Sequence, residues 1–205
     1  QIFNLGDATK QPGWGGGFDV ILGNPPWETV LLKDKEFFAT KAPHIATAST
    51  ASDRKILISA LNANCPRLWQ QYQFAKQEFA HFSLYLRKSG IYPFCSRGTA
   101  NLYKIFIELS QNLITSTGRI GMIVPPGIAT EKGSADFFKH VTSNKTLNSL
   151  YSFDEKSPYF KPVQMRFCLL TLSGTWAPCS KNSFVFYALS TKELLDESRN
   201  FSLES

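Results

Sequence analysis

The chain has 205 residues, 43% hydrophobic and 14% aromatic, so it can bury a sizeable core. This composition excludes a disordered chain and a small disulfide-stapled domain. With 22 lysines and arginines against 16 aspartates and glutamates, the net charge of +6 favours an anionic partner without proving one. No apolar run approaches the ~18 residues of a membrane span, so we expect no membrane partner.

The reactive side chains give few further constraints. Four cysteines lie far apart with no C-x-x-C pair, at Cys65, Cys95, Cys168 and Cys179. They predict reduced, partly buried thiols and a cytoplasmic protein. The three histidines are scattered without metal-ligand spacing, so we expect no metal. The chain begins at Gln1 and has methionines only at Met122 and Met165, which indicates a piece of a larger polypeptide.

Strands and one helix alternate along the chain. Strand-like runs are found at 18–23, 119–124, 147–153, 166–173 and 183–189. The first two are almost continuously apolar, as in parallel strands buried on both faces. A helix is predicted between them, with Asn101 as N-cap, an apolar stripe to Leu113, and Gly118 after its end. This order predicts an α/β fold.

A basic helical insertion is predicted at residues 28–97, and 98–190 are assigned to the remaining sheet and helices. Pro66 begins a long helix that Gly90 stops, with an apolar stripe at Leu68, Tyr72, Ala75, Phe79, Phe82 and Leu86. Ten basic and five acidic residues give the insertion +5 of the net +6. It is either a helical hairpin with a solvated face or a lid on nucleic-acid backbone, and charge alone favours the former. Candidate backbone contacts are Arg54, Lys55, Arg87 and Lys88.

The sequence Phe-Asp-Val-Ile-Leu-Gly-Asn-Pro-Pro-Trp at 18–27 is the most informative stretch. Ligands of open α/β sheets bind beyond the carboxyl ends of strands, where Asn24 brings an amide donor and a carbonyl acceptor. Pro25 and Pro26 stiffen the backbone and lack N–H groups, and Trp27 offers a flat π surface. Rigid acceptors beside a stacking platform suit a planar group that bears an amine, such as the edge of adenine. A plain Pro-Pro turn with Trp27 in packing is the simpler alternative.

These residues resemble the amino-group methyltransferases that use S-adenosylmethionine, especially those that make N6-methyladenine in DNA. The family signature is Asn/Asp-Pro-Pro-Tyr/Phe/Trp after a hydrophobic strand, as at 24–27. Further resemblances follow the family order, at 2–8, at 98–106 (the "NLY…F" helix), at 118–125 (the "GGxxxxIVP" strand) and at 160–172. The likeness is greatest to the large methylases of restriction-modification and phage-defence systems.

The resemblance implies a Rossmann-like methyltransferase fold and a role for each matching residue. Asn24 and Pro25 would accept the N6 hydrogens of a flipped adenine, with Pro26 as part of the same rigid motif. Trp27 and Phe160 would stack on the base. Asp7, Asn24 and Pro25 would contact S-adenosylmethionine, and double-stranded DNA would be the partner. No nuclease motif is found.

One departure concerns the glycine-rich cofactor loop of the family. That loop would precede Gln1, and the Gly15–Gly17 run comes before a strand instead of after one. The resemblance therefore implies a partial catalytic domain whose partners include the rest of the polypeptide: the cofactor half, with possible specificity or nuclease domains. Two alternatives stay open: methylation of another planar amide or amine, in protein glutamine or RNA, and a non-catalytic nucleic-acid-binding remnant.

Overall fold

The computed structural model describes residues 16–94, 100–160 and 165–204. These form two compact units, residues 29–91 and the described residues on either side of them. The predicted insertion at 28–97 contains the first unit. The second unit holds a six-stranded mixed sheet with helices, which confirms the predicted α/β class.

The sheet consists of β1 (Phe18–Gly23), β2 (Ile114–Val124), β3 (Leu147–Phe153), β4 (Phe167–Ser173), β5 (Lys181–Ala188) and β6 (Phe201–Glu204). Their spatial order is β1-β2-β4-β3-β5-β6. The pairs β1–β2 and β3–β5 are parallel, and the other neighbours are antiparallel. The carboxyl ends of β1, β2, β3 and β5 therefore meet at one edge, together with the amino end of β4. This edge is called the carboxyl edge below.

The core of this unit lies on the central strands. Fully buried side chains come from β2, β3 and β4, among them Val124, Leu147 and Leu170. The helices α5 (Leu102–Leu113) and α7 (Ala135–Ser143) add buried apolar residues, and α6 (Gly127–Thr130) is a single turn between them. Short 3-10 turns occur at Lys132–Ser134, Pro158–Phe160 and Thr191–Leu195.

The burial predicted for β1 is wrong. Phe18, Val20 and Leu22 are 41%, 57% and 78% exposed. Within the described residues β1 pairs only with β2, so it is an edge strand with one free side. Its apolar composition is typical of a strand that is covered on both faces, but in the described residues these apolar side chains stay exposed.

The boundary between α5 and β2 also differs from the prediction. β2 begins at Ile114, directly after the last residue of α5, and Gly118 lies inside the strand. A Cβ at Gly118 would lie 2.8 Å from the Asp19 carbonyl oxygen, so glycine permits the close approach of β1. Asn101 occupies the N-cap position of α5 without a side-chain capping bond.

The remaining strand predictions are confirmed with small shifts at their ends. β3 has the predicted bounds, β4 starts one residue later at Phe167, and β5 is displaced toward Lys181. β6 was not predicted.

Residues 29–91 form a helical unit with its own core. It contains α1 (Asp34–Phe38), α2 (Pro43–Ala46), α3 (Ala51–Asn64) and the predicted long helix, α4 (Pro66–Lys88). The buried cluster consists of Phe38, Ala42, Ile45, Ile58, Leu61 and Tyr72. None of the helices in the described ranges has both the length and the apolar character that crossing a membrane requires.

The predicted stripe on α4 is buried only in part. Tyr72 and Leu86 are buried, whereas Phe79 and Phe82 are 39% and 46% exposed. With 14 residues, α3 spans about 21 Å, and α4 with 23 spans about 34 Å, so α3 covers only part of its neighbour.

Candidate functional site

The Asn-Pro-Pro-Trp motif begins directly after β1, at the carboxyl edge of the sheet. Residues 24–27 line a pocket of about 380 Å³ together with Phe160 and Met165. The structure thus brings all four motif residues together with the aromatic residue predicted as the second stacking group. Met165 was not predicted; the signal was its position just before a strand whose amino end lies at the same edge.

An aromatic cluster supports this pocket. Phe153 stacks on Phe167 with ring centroids 4.6 Å apart, and the Phe160 ring meets Phe167 edge-on at 4.8 Å. Trp27 and Phe160 both pack against this cluster while staying partly exposed. Aromatic pairs of this kind fix ring orientations, so both candidate stacking residues have a rigid backing.

Two hydrogen bonds fix the segment that follows β1. The Trp27 indole Nε1 donates a long hydrogen bond, of 3.4 Å, to the Ile123 carbonyl oxygen in β2. The Leu102 amide, at the start of α5, donates to the Glu28 carbonyl oxygen at 2.8 Å. This second bond satisfies one of the open amides of the helix N-terminus. It also links the residue that follows the Asn-Pro-Pro-Trp motif to the first residue of the NLY helix.

Asn24 is the polar group of the site. Its side chain is exposed, and within the described ranges the structure records no hydrogen bond to it. Pro25 is buried and Pro26 is exposed, so the fixed φ angles of two prolines hold the backbone next to it. Asn24 therefore offers an uncommitted amide on a stiff support.

A second opening adjoins the first. A cleft of about 530 Å³ lies between β1 and α5 and shares Asn24, Pro25 and Pro26 with the pocket. Its other described lining residues are almost all apolar, with Ser110 as the further polar side chain. Asn24, Pro25 and Pro26 border both openings. They carry no charge, so they fit the methyl-bearing end of S-adenosylmethionine at the point where the two openings meet. Asp7, the predicted contact to the cofactor adenine, lies outside the described residues.

The predicted DNA-backbone residues all lie in the helical unit, on two of its helices. Lys55 and Arg87 line one groove of about 730 Å³ together with Lys76, which was not predicted. Arg54 Nη2 donates to the Ala48 carbonyl oxygen at 3.3 Å, so part of its guanidinium is engaged within the unit. Lys88 is exposed. Of the four predicted residues, the structure thus brings Lys55 and Arg87 to one groove, whereas Arg54 and Lys88 do not line it.

The described cysteines differ in their surroundings. Cys65 is an exposed free thiol, which departs from the predicted partial burial. Cys168 is a buried free thiol, and burial raises its pKa to about 11. With so high a pKa, the Cys168 thiol stays protonated and unreactive at neutral pH. Cys95 lies outside the described residues.

The family model that matches the chain is that of the Eco57I restriction-modification methylases, over residues 70–160. This range includes the NLY helix and β2, whereas the Asn-Pro-Pro-Trp motif lies outside it. No curated protein matches the chain in sequence.

Several solved structures match the chain at low sequence identity. One is assigned to the class I S-adenosylmethionine-dependent methyltransferases, from Listeria monocytogenes (14% identity, TM-score 0.47, 88% of this chain, 40% of that one). Another is a type I restriction-modification methyltransferase subunit from Streptococcus thermophilus (10% identity, TM-score 0.45, 89% of this chain, 29% of that one). A third is DrdV in complex with DNA (10% identity, TM-score 0.47, 92% of this chain, 17% of that one).

The chain therefore spans well under half the length of these three proteins. The resemblance to restriction-modification methylases that the sequence motifs indicate is confirmed by the family model, over residues 70–160.

Proposed function

We propose that the chain is the substrate-side part of a DNA adenine N6 methyltransferase in a restriction-modification or phage-defence system. One observation carries this proposal: Asn24, Pro25, Pro26, Trp27 and Phe160 line one pocket. Its volume lies in the range of small-ligand sites. It offers an amide and two aromatic rings to a planar guest that bears an amine.

Base capture is the first step in the proposed mechanism. The target adenine leaves the duplex and enters the pocket between Trp27 and Phe160. Leaving the stack costs a few kcal/mol, and aromatic stacking offsets part of that cost. Because the cluster of Phe153 and Phe167 already restrains both rings, little side-chain conformational freedom is lost on binding.

Orientation of the amine is the second step. The N6 lone pair is delocalised into the ring, so the amine is a poor nucleophile. The Asn24 side-chain oxygen and the Pro25 carbonyl oxygen accept the two N6 hydrogens and favour a tetrahedral nitrogen, whose lone pair then points away from the ring plane. S-adenosylmethionine supplies the electrophilic methyl group. The chain's contribution is mainly positioning, and N6 releases one proton to solvent after transfer.

The cofactor site is proposed to be shared. Asn24 and Pro25 form its substrate-side edge, and Asp7 and segments outside the described residues hold the remainder. The rest of the polypeptide would supply the glycine-rich loop, with possible specificity or nuclease domains. Double-stranded DNA is the proposed partner, bound in the cytoplasm, with Arg54, Lys55, Arg87 and Lys88 on its backbone.

The proposal is tested by following the methyl group from labelled S-adenosylmethionine in the full-length protein that carries this chain. Duplex DNA, RNA and a glutamine-containing protein fraction are offered in parallel, and the products are identified by mass spectrometry. We expect N6-methyladenine in DNA, strong loss in Trp27→Ala, and no loss in Trp176→Ala. Trp176 is a matched control because it is 80% exposed in the turn after β4, at the opposite edge of the sheet.

Two outcomes would contradict the proposal. Label on glutamine or RNA would favour the alternative substrates. DNA binding without transfer to any acceptor would favour the non-catalytic nucleic-acid-binding alternative.

A further inference from the structure

Tyr187 has an unusual backbone conformation near the end of β5. Its φ is +56°, in the left-handed region that residues with a side chain rarely adopt. The side chain is 58% exposed, so burial of the ring does not account for this conformation. A conformation of this kind costs free energy and persists only where the surroundings enforce it.

A β-bulge and an ion pair enforce the conformation. In the β3–β5 register, Tyr151 pairs with Val185 and Phe153 with Ala188, so Phe186 and Tyr187 together oppose one residue. Arg199 Nη2 donates to the Phe186 and Tyr187 carbonyl oxygens at 3.1 and 3.3 Å. Arg199 in turn pairs with Glu193. Bulges beside functional sites commonly redirect a side chain.

The redirected ring meets a cation at the carboxyl edge. The Arg166 guanidinium carbon lies 5.7 Å from the Tyr187 ring centroid, within cation–π range. Arg166 is exposed and directly follows Met165, which lines the 380 Å³ pocket. Ala188, next to Tyr187, belongs with Phe153 and Phe167 to the cluster behind that pocket. Each member of the pair is therefore next in sequence to a residue of the proposed base pocket or of the cluster behind it.

We propose that Arg166 and Tyr187 form a binding site for the nucleotide that adjoins the extruded base. The Tyr187 ring stacks on the neighbouring base, and the Arg166 guanidinium contacts a flanking phosphate. An exposed aromatic ring beside a cation is the combination that binds unpaired nucleic acid irrespective of sequence. This inference rests on the proposed function, because it uses the pocket as the place of the extruded base.

A nucleotide accounts for both members of the pair. A phosphate alone needs the cation but not an exposed ring held in a costly conformation. An apolar partner would need the ring but not the guanidinium. A base with its phosphate uses the two groups together.

The test measures binding of the full-length protein to a labelled DNA duplex that carries one unpaired adenine. Tyr187→Ala and Tyr187→Gly should each weaken binding about fivefold or more, and Tyr187→Phe should bind as the wild type does. Arg166→Ala should weaken binding and lower the slope of log affinity against log salt by about 0.9. Arg166→Lys should keep the slope but lose affinity, because it keeps the charge without the planar group. Trp176→Ala, at the opposite edge of the sheet, and a fully paired duplex are the controls.

The outcomes separate this inference from the function on which it rests. If the wild type binds and methylates the duplex while the Tyr187 variants bind equally well, the nucleotide site is wrong and the pocket stands. If the wild type does not distinguish the unpaired adenine from paired DNA, the proposed base pocket is wrong. If the variants lose binding to an acidic peptide but not to DNA, the pair serves a protein partner instead.

Discussion

The Lys104 ammonium lies 2.7 Å from Glu131 Oε2, and the lysine side chain is only 4% exposed. Lys104 lies in the first turn of α5, and Glu131 follows α6, so the ion pair joins the NLY helix to the loop after β2. Glu131 is half exposed, with 51% of its side-chain surface accessible. The pair therefore places a buried cation next to a carboxylate that water still reaches.

Glu131→Gln should destabilise the protein by about 2 kcal/mol, because the buried Lys104 ammonium would lose its counter-charge. Wholly buried pairs cost about 3–5 kcal/mol when one partner is removed, and the exposure of Glu131 lowers that figure. Adding Lys104→Met to Glu131→Gln should restore part of the loss. Urea unfolding of the single and double variants measures this. Glu36→Gln, in the exposed Lys33–Glu36 pair, is the control and should change stability by less than about 1 kcal/mol.

Asn24→Ala should lower kcat of the full-length protein by about 10²–10³ with little change in DNA affinity. The lost acceptor is needed mainly as N6 becomes tetrahedral, and removing one preorganised contact of this kind has that effect on rate. Single-turnover methylation and equilibrium DNA binding give the two quantities separately. Methylation at the wild-type rate would mean that the motif is only a turn.

Neutralising Lys55 and Arg87 together should lower the slope of log DNA affinity against log salt by about 2, or about 0.9 per lost phosphate contact. These two residues share one groove, which places their charges on the same surface. Lys35→Gln with Arg67→Gln is the matched control, since both residues are exposed in the same helical unit and do not line the groove. Arg54 should contribute less to the salt slope than Lys55 or Arg87, because part of its guanidinium is hydrogen-bonded to the Ala48 carbonyl oxygen. Equal slopes for both double variants would mean that the groove is not a DNA surface.

Tyr187→Gly should be more stable than Tyr187→Ala by about 1 kcal/mol, because glycine adopts a positive φ without the steric cost that alanine meets. At the neighbouring Phe186, which is also exposed and has no positive φ, the order should reverse, with glycine the less stable by about 0.5–1 kcal/mol. Thermal unfolding of the four variants compares the two positions. The same order at both positions would show that the Tyr187 conformation is not strained in solution.

Alkaline pH should destabilise the helical unit through Tyr72. Burial, together with its hydrogen bond to Asp34 at 2.9 Å, raises the pKa of Tyr72 to about 12 from the ordinary 10.0. Between these values the unfolded chain loses the proton more readily than the folded one, so stability falls as pH rises from about 10 to 12. Tyr72→Phe should be less stable than the wild type at neutral pH, and this gap should narrow across that window. A constant gap would contradict the raised pKa.

Local sequence patterns predicted much of the sheet. The bounds of β3, the start of α4 at Pro66 and the fold class follow from periodicity and from the place of Pro and Gly. The link of Phe160 to the Asn-Pro-Pro-Trp motif came from the family resemblance, and the shared pocket brings the two together.

Other features depend on tertiary contacts that a single sequence does not display. The exposure of β1 depends on which strands lie beside it, and its composition indicated the opposite. The positive φ of Tyr187 arises from a bulge and from Arg199, neither of which leaves a signal in the surrounding Phe-Tyr-Ala-Leu sequence. Lys76 and Arg87 lie on the same face of α4, whereas Lys55 joins them only through the packing of α3 beside α4.

The parallel pairing of β1 with β2 has a consequence for the order of folding. β1 ends before residues 29–91, and its partner begins only at Ile114, so closing the pair must confine a long stretch of chain. The helical unit is built from neighbours in sequence, whose contacts form at a much lower entropic cost. We expect helical structure in 29–91 to appear first in refolding. The Asn24–Phe160 pocket should form late, when β1 pairs with β2. A partly folded chain would therefore have the groove of Lys55, Lys76 and Arg87 before it had a pocket that could bind a base.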